Sequence, residues 1–339
     1  MLPTRALGPF TVSAIGLGCM NLSHAYGRPV SEEEGAALLN RALDLGVTFL
    51  DTAALYGAGA NERLLGKAVM HRRDEFTLAS KCVLDMIVGK RGLDGSPAAI
   101  ARTLDGALQR LGTDHIDLYY LHRLDRRVPI EDSMGALVRA KEAGKIGAIG
   151  LSEMSAATIR RAHAVHPVAA VQSEYSAVVR NPEIAVLETC RALGIGFVAF
   201  SPVARGLLCN AIRDENYEND RDIRLAMPRF VGENLRHNLQ TVAEFNAFAA
   251  EIGCTPAQLA LAWVLAQGET IVPIPGTRRI AHLEEDLGAL NVSLDAPALR
   301  RINDIFSAGA IRGARYSALM QAQIDTETFP DEELAQAAA

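Results

Sequence analysis

Eight short apolar runs, alternating with stretches of helical periodicity, constrain this chain more than any other feature. The runs cover residues 14–18, 47–51, 76–81, 116–121, 147–151, 168–172, 196–200 and 271–274. Several do not alternate with polar residues. Ile195-Gly196-Phe197-Val198-Ala199-Phe200 is one, a pattern of strands covered on both faces. Helical patterns lie between them. Ser31 with Glu34 makes a capping box, Leu38, Leu39, Ala42 and Leu45 form the apolar stripe behind it, and Gly46 stops the helix. Ser96-Pro97 opens another, with Ile100, Leu104, Ala107, Leu108 and Leu111 at helical spacing up to Gly112. Residues 131–143, 155–164, 182–193 and 256–266 repeat the theme.

Strands alternating with helices, without a second compositional zone, predict an α/β fold. The expected form is a (β/α)8 TIM barrel, one domain over residues 1–339. The competing fold is an open doubly wound sheet, which needs a glycine-rich fingerprint after its first strand. Gly16-Leu17-Gly18 lacks the third glycine and reads as a strand end. Residues around Gly8-Pro9 predict an N-terminal hairpin cap on the barrel floor. Segment 203–234, after the seventh strand, is long, polar and punctuated by Pro and Gly, which suits a lid loop. The acidic, then alanine-rich segment 326–339 is expected to fray.

Composition narrows the function. The chain has 339 residues, 49% apolar and 22% charged, with a net charge of −6 and no long basic run, which disfavours nucleic acid as a partner. No apolar run approaches the ~20 residues of a membrane span, and no signal peptide is visible, so a cytoplasmic protein is expected. Five cysteines without CxxC spacing fit a reduced protein with no structural metal. His163 and His166 have no acidic partner at metal spacing. The residues carry no signal for an oligomeric state.

Four polar residues stand at or just beyond strand ends. Asp51 closes the second strand and Tyr56 follows it, Lys81 closes the third, and His122 closes the fourth. In a parallel barrel these ends converge at one mouth. A free phenol is a poor acid at neutral pH, and a nearby ammonium lowers its pKa. Asp51 can hold Lys81, Lys81 can tune Tyr56 as a general acid, and His122 can orient a substrate oxygen. A proton donor beside a carbonyl oxygen requires a nucleophile for the carbon, and hydride from a nicotinamide fits.

Over nearly its full length the chain resembles the aldo-keto reductase superfamily. The resemblance rests on Asp51-Thr52-Ala53-Ala54-Leu55-Tyr56-Gly57 with Gly59 and Asn61-Glu62, on Ser80-Lys81, and on Asp117-Leu118-Tyr119-Tyr120-Leu121-His122. It continues through Gly144-Lys145-Ile146, Gly150-Leu151-Ser152, Val171-Gln172, Phe200-Ser201-Pro202 and Ile274-Pro275-Gly276-Thr277-Arg278. Pro228-Arg229-Phe230 with Gly232-Glu233-Asn234-Leu235 is similar to the bacterial and plant branch of pyridoxal and perakine reductases.

The resemblance implies reduction of aldehydes or ketones by NADPH, with Tyr56 as acid, tuned by Lys81 and Asp51, and His122 positioning the carbonyl. It implies that Ser152 and Gln172 bond the nicotinamide carboxamide and that Phe200 stacks under its ring. Ser201, Pro202, Val203, Arg205 and Gly206 would line the pyrophosphate, and Gly276, Thr277 and Arg278 the adenosine 2′-phosphate. His282, Glu285 and Asp286 would lie near the adenosine. His282 stands where many relatives have Arg, and Asp286, in place of Asn, would accept a hydrogen bond but not donate one. Met20, Tyr26 and Tyr120 are expected in the substrate pocket. Two alternatives stay open: an NADP(H)-binding regulatory or redox-sensing subunit, and a Schiff-base aldolase using Lys81.

Overall fold

A computed structural model describes residues 1–87 and 89–335, with Ile87 described by its backbone alone. The barrel strands are β1 (Leu17–Gly18), β2 (Phe49–Asp51), β3 (Thr77–Cys82), β4 (Ile116–Leu121), β5 (Ile146–Ser152), β6 (Ala170–Glu174), β7 (Gly196–Phe200) and β8 (Ile271–Ile274). They form one eight-stranded sheet in chain order, every pair parallel. The ring closes between its first and last strands, where Gly16 and Gly18 donate to the Pro273 and Pro275 carbonyls, both at 3.0 Å. Glycine is needed at this seam. A Cβ on Gly16 would meet Phe49 at 2.7 Å, and one on Gly18 would meet the Ile274 carbonyl at 2.8 Å. The Gly-x-Gly pair therefore serves barrel closure.

The hairpin of Thr4–Leu7 and Phe10–Ser13 plugs the floor. Its Leu7 and Val12 are fully buried and pack with Phe49, Leu118, Ala170, Val198 and Val272 inside the barrel. Outside, the helices pack their apolar stripes on the strands. The boxes at Ser31/Glu34 and Thr255/Gln258 and the Ser96 cap before Pro97 all form. Trp263 is fully buried against Tyr175, ring centroids 5.4 Å apart.

Several elements differ from the sequence expectation. Helices Ala60–Ala68, Gly232–Ile252, Ile280–Leu287 and Ala296–Ile305 are additional. Segment 182–193 splits into a 3-10 turn at Asn181–Glu183 and a helix from Val186 to Leu193. Segment 203–234 holds three 3-10 turns and gives way to helix at Gly232. A second hairpin, Leu84–Ile87 with Lys90–Leu93, rises from the end of β3. Of the segment expected to fray, 336–339 lies outside the described residues. The rest is tied to the barrel: Glu327 accepts from the Ala156 amide at 2.7 Å at a helix N-terminus, and Glu333 accepts from Gly313 at 2.9 Å. Among the described residues no single helix is long and apolar enough to cross a membrane.

Candidate active site

Parallel register brings the strand ends together. Asp51 pairs across from Ala79 on β3, so Lys81 projects two residues further toward the mouth, opposite Tyr120 on β4. The turn after β2 then carries Tyr56 over this point. Gly57, Ala58 and Gly59 all have positive φ there, and only glycine takes that conformation freely. Asn61 clamps the turn: it accepts from the Thr52 hydroxyl at 2.6 Å and donates to the Cys19 carbonyl and the Ser23 hydroxyl, both at 2.9 Å. Glu62 binds the Ser80 hydroxyl and Arg110, each at 2.6 Å, which fixes the residue preceding Lys81.

The Lys81 ammonium is fully buried and fully bonded. It donates to Asp51 Oδ1, to the Thr52 carbonyl at 2.9 Å and to the Tyr56 phenol oxygen at 3.1 Å. Gln172 donates to the other Asp51 oxygen at 2.8 Å. His122 stands edge-on to Tyr56, centroids 5.9 Å apart. The four residues picked out in the sequence thus meet at one point.

Their protonation partly departs from expectation. Burial pushes the Tyr56 phenol above its usual value, and the Lys81 charge only partly offsets this. The phenol is therefore held protonated. Burial alone would lower Lys81, but the Asp51 charge and then the Tyr56 phenol outweigh it and keep the ammonium charged. Burial and then the Arg123 and Lys81 charges depress His122 well below the usual range, leaving a neutral imidazole whose Nδ1 is buried without a partner. A neutral donor beside a neutral phenol, backed by a fixed ammonium, can protonate and orient a carbonyl oxygen.

Other predicted residues settle differently. Met20 packs with Tyr56, Leu55 and Leu84, as a pocket residue would. Tyr120 does not line the pocket. It is fully buried inside the barrel because Gly150 leaves room for its ring, a Cβ there falling 2.3 Å from it, and Lys81 Nζ sits 5.9 Å above that ring. Tyr26 turns toward the segment after β7, its phenol oxygen accepting from Arg205 at 3.1 Å.

Ser152 is buried at the end of β5 and its hydroxyl accepts from Arg123 at 3.2 Å. Phe200 is half-buried at the end of β7, with the Arg205 guanidinium 5.9 Å from its ring centroid. The turn beyond it contains four residues with positive φ, Ser201, Ala204, Arg205 and Gly206, with Pro202 and Val203 between them. Strained turns of this kind cluster at ligand sites. The Arg205 guanidinium is buried on Glu174 at 2.7 Å. After β8, Asn21 donates to the Gly276 carbonyl at 3.0 Å, and the Thr277 hydroxyl accepts from the Arg279 amide at 3.1 Å. Arg278 is only partly exposed and binds Glu218, from the segment after β7, at 2.5 Å and the Arg28 carbonyl at 2.9 Å. His282 is exposed and Glu285 half-buried. Burial, and next the Glu285 charge, pushes Asp286 up to about 8, so at neutral pH it carries a proton and can donate, contrary to the expectation from its side-chain type.

Sequence reasoning missed His24, which stacks on Tyr56 with centroids 6.1 Å apart. It also missed the buried chain of Arg315 with Glu153 at 2.5 Å and Arg205 with Glu174. Arg123, next to His122, was open to notice, whereas the others are remote in sequence and only the fold unites them.

The family model "Aldo/keto reductase family" matches residues 14–306. The chain is 45% identical over 336 residues to an aldo-keto reductase of Schizosaccharomyces pombe, yakc [NADP(+)], covering 97% of this chain and 98% of that one. It is 44% identical over 313 residues to a probable aldo-keto reductase 1 of Glycine max, covering 91% and 89%. Among solved structures it is similar to the glycerol dehydrogenase AKR11B4 of Gluconobacter oxydans (TM-score 0.81, 26% identity, 89% and 94% covered). It is also similar to the aldo-keto reductase AKR11C1 of Bacillus halodurans (TM-score 0.75, 27% identity, 92% and 98% covered).

Proposed function

Because the chain belongs to the aldo/keto reductase family, we propose that it reduces aldehydes or ketones to alcohols with NADPH, using Tyr56 as the general acid. The observation that carries this reading is the single line of contacts from Asp51 through Lys81 to the Tyr56 phenol, with His122 edge-on beside it.

The residues of the opposite rim suit the cofactor. The flat half-buried ring of Phe200 suits a nicotinamide, the strained turn 201–206 offers backbone amides to a pyrophosphate, and Arg278 matches a 2′-phosphate in shape and charge. Gln172 keeps its amide oxygen for a carboxamide after donating to Asp51, and Ser152 offers its hydroxyl. Arg205, already paired with Glu174, supplies less charge to the pyrophosphate than its residue type suggests. Protonated Asp286 can donate to an adenine nitrogen. Held by these residues, NADPH would supply hydride to the carbonyl carbon.

The chain's own part is the proton. Tyr56 Oη donates to the carbonyl oxygen, and Lys81 Nζ, held by Asp51, stabilises the phenolate left behind. Neutral His122 donates a hydrogen bond to the same oxygen and sets its angle. The Asp51 ion pair, which favours the protonated ammonium, speaks against Lys81 as a Schiff-base nucleophile.

The test is loss of NADPH absorbance with a reactive aromatic aldehyde, in wild type and Tyr56→Phe side by side. Turnover that depends on Tyr56 supports the reading. Undiminished turnover in the variant removes Tyr56 as the acid. Tight NADPH binding without turnover on a broad carbonyl panel would favour a sensing subunit instead.

A further inference from the structure

Three guanidinium groups set into this protein have carboxylate counter-ions, and two at the mouth do not. Arg315 lies on Glu153, Arg205 on Glu174, and Arg110 on Glu62. Arg91 and Arg123 have no carboxylate partner among the described residues. Arg123 is 8% exposed and donates only to neutral oxygens, the His122 carbonyl at 2.6 Å and the Ser152 hydroxyl at 3.2 Å. Arg91 Nε is buried with no hydrogen-bond partner.

Both lie near the catalytic pair: the Arg123 charge acts on the Tyr56 phenol, and the Arg123 and Arg91 charges both act on His122. Arg91 lies on the strand Lys90–Leu93 of the second hairpin, two residues before Leu93, and alternate residues share a face. Leu93 packs on the cluster of Tyr56, Leu55 and Leu84, so Arg91 looks the same way. Arg123 follows His122 directly at the end of β4. The two guanidiniums sense each other: burial first, then the Arg123 charge, pushes Arg91 down to about 10. Burying cationic groups without a counter-charge is costly, and an anion placed between the two would offset that cost.

The proposed cofactor phosphates do not supply that anion. They belong to the turn after β7 and to Arg278 after β8. Arg91 rises from the end of β3 and Arg123 from the end of β4. In a closed ring of eight strands, β3 and β4 lie across the mouth from β7 and β8. Accepting the reductase reading above, we infer that Arg91 and Arg123 form an anion-recognising end of the substrate site. The carbonyl compound reduced at Tyr56 then carries a carboxylate or a phosphate.

The test compares kcat/KM for 4-carboxybenzaldehyde and its neutral methyl ester, and for glyceraldehyde 3-phosphate and glyceraldehyde, with NADPH at low ionic strength. Wild type should favour a charged member by about tenfold or more, mainly through KM. Preference confined to one pair identifies that anion. The charged-to-neutral ratio should fall toward one in Arg91→Met and Arg123→Met, and Arg91→Lys should retain part of it. Added salt should erode the preference in wild type, a readout that does not depend on any variant folding. Equal or better use of the neutral members, or a preference insensitive to salt, overturns the inference and leaves the reductase reading standing. No Tyr56-dependent NADPH oxidation with any of the four overturns both.

Discussion

Glu218 Oε2 lies 2.5 Å from Arg278 Nη2, so the guanidinium proposed to meet the 2′-phosphate is already held by a carboxylate from the segment after β7. Arg278 also donates to the Arg28 carbonyl, and the Ala25 carbonyl accepts from the Ile223 amide at 3.0 Å. That segment and the loop after β1 therefore meet at Arg278. Side chains on both sides of the pair are about a third or more exposed, and exposed pairs contribute only about 0.2–1 kcal/mol. A phosphate can displace Glu218. Removing the competitor by Glu218→Gln should tighten NADPH roughly two- to fivefold in a fluorescence titration and change NADH less. Equal effects on both cofactors would count against the 2′-phosphate assignment.

Arg278→Ala tests the same contact from the other side. NADPH affinity should fall by roughly tenfold or more, and NADH affinity by much less. Equal weakening would move the phosphate elsewhere.

Lys81→Met leaves Asp51 buried without its ammonium. Burial already raises the Asp51 pKa against the Lys81 charge, so without that charge the carboxyl is driven to take up a proton, and the Gln172 amide alone does not replace the lost partner. Breaking a buried pair on one side costs about 3–5 kcal/mol. The single variant should melt well below wild type and lose most turnover. Adding Asp51→Asn should recover much of the melting temperature but not the activity. A double variant with restored turnover would show that the ammonium is not needed at Tyr56.

The pH profile follows from two directions of shift. Tyr56 must be protonated to act, and burial raises its pKa above 10. His122 must be neutral to donate, and burial with neighbouring cations lowers its pKa well below 6.5. Between these limits neither group titrates, so kcat/KM should stay flat from about pH 7 to 9. An inflection near pH 6.5 to 7 that disappears in His122→Gln would mean that burial does not depress the imidazole, and activity falling as pH rises through it would mean that the cationic form is the working one.

Asp286 makes stability depend on pH. Its folded pKa is raised from 3.8 to about 8, chiefly by burial. Between those values the folded chain holds a proton that the unfolded chain has released, so this group's contribution declines as pH rises through the window. Asp286→Asn removes that dependence. The variant should gain roughly 2–5 °C in melting temperature over wild type near pH 8, and little near pH 4. A gain of equal size at both pH values would mean that Asp286 does not titrate in this window.

Much of the site was legible because a barrel projects chemistry from strand ends, and strand ends show as local pattern. Asp51, Lys81 and His122 each close an apolar run. Tyr56 sits where the φ-positive turn of Gly57 and Gly59 must lift a side chain over the mouth. The missed helix Gly232–Ile252 follows a polar segment whose end leaves little local mark. Tyr120 was misread because its neighbours on β4 do not reveal the space left by Gly150 on β5.

The sequence alone determined the alternation of strand and helix, the hairpin under the floor and the residue types at the strand ends. These rest on periodicity and capping, which act over a few residues. Tertiary structure decided which charges meet. Arg205 found Glu174, Arg278 found Glu218, and Arg91 and Arg123 found no carboxylate among the described residues, across separations no local pattern encodes. Burial then decided protonation, raising Tyr56 and Asp286 and lowering His122, because desolvation depends on what the whole fold stacks around a group.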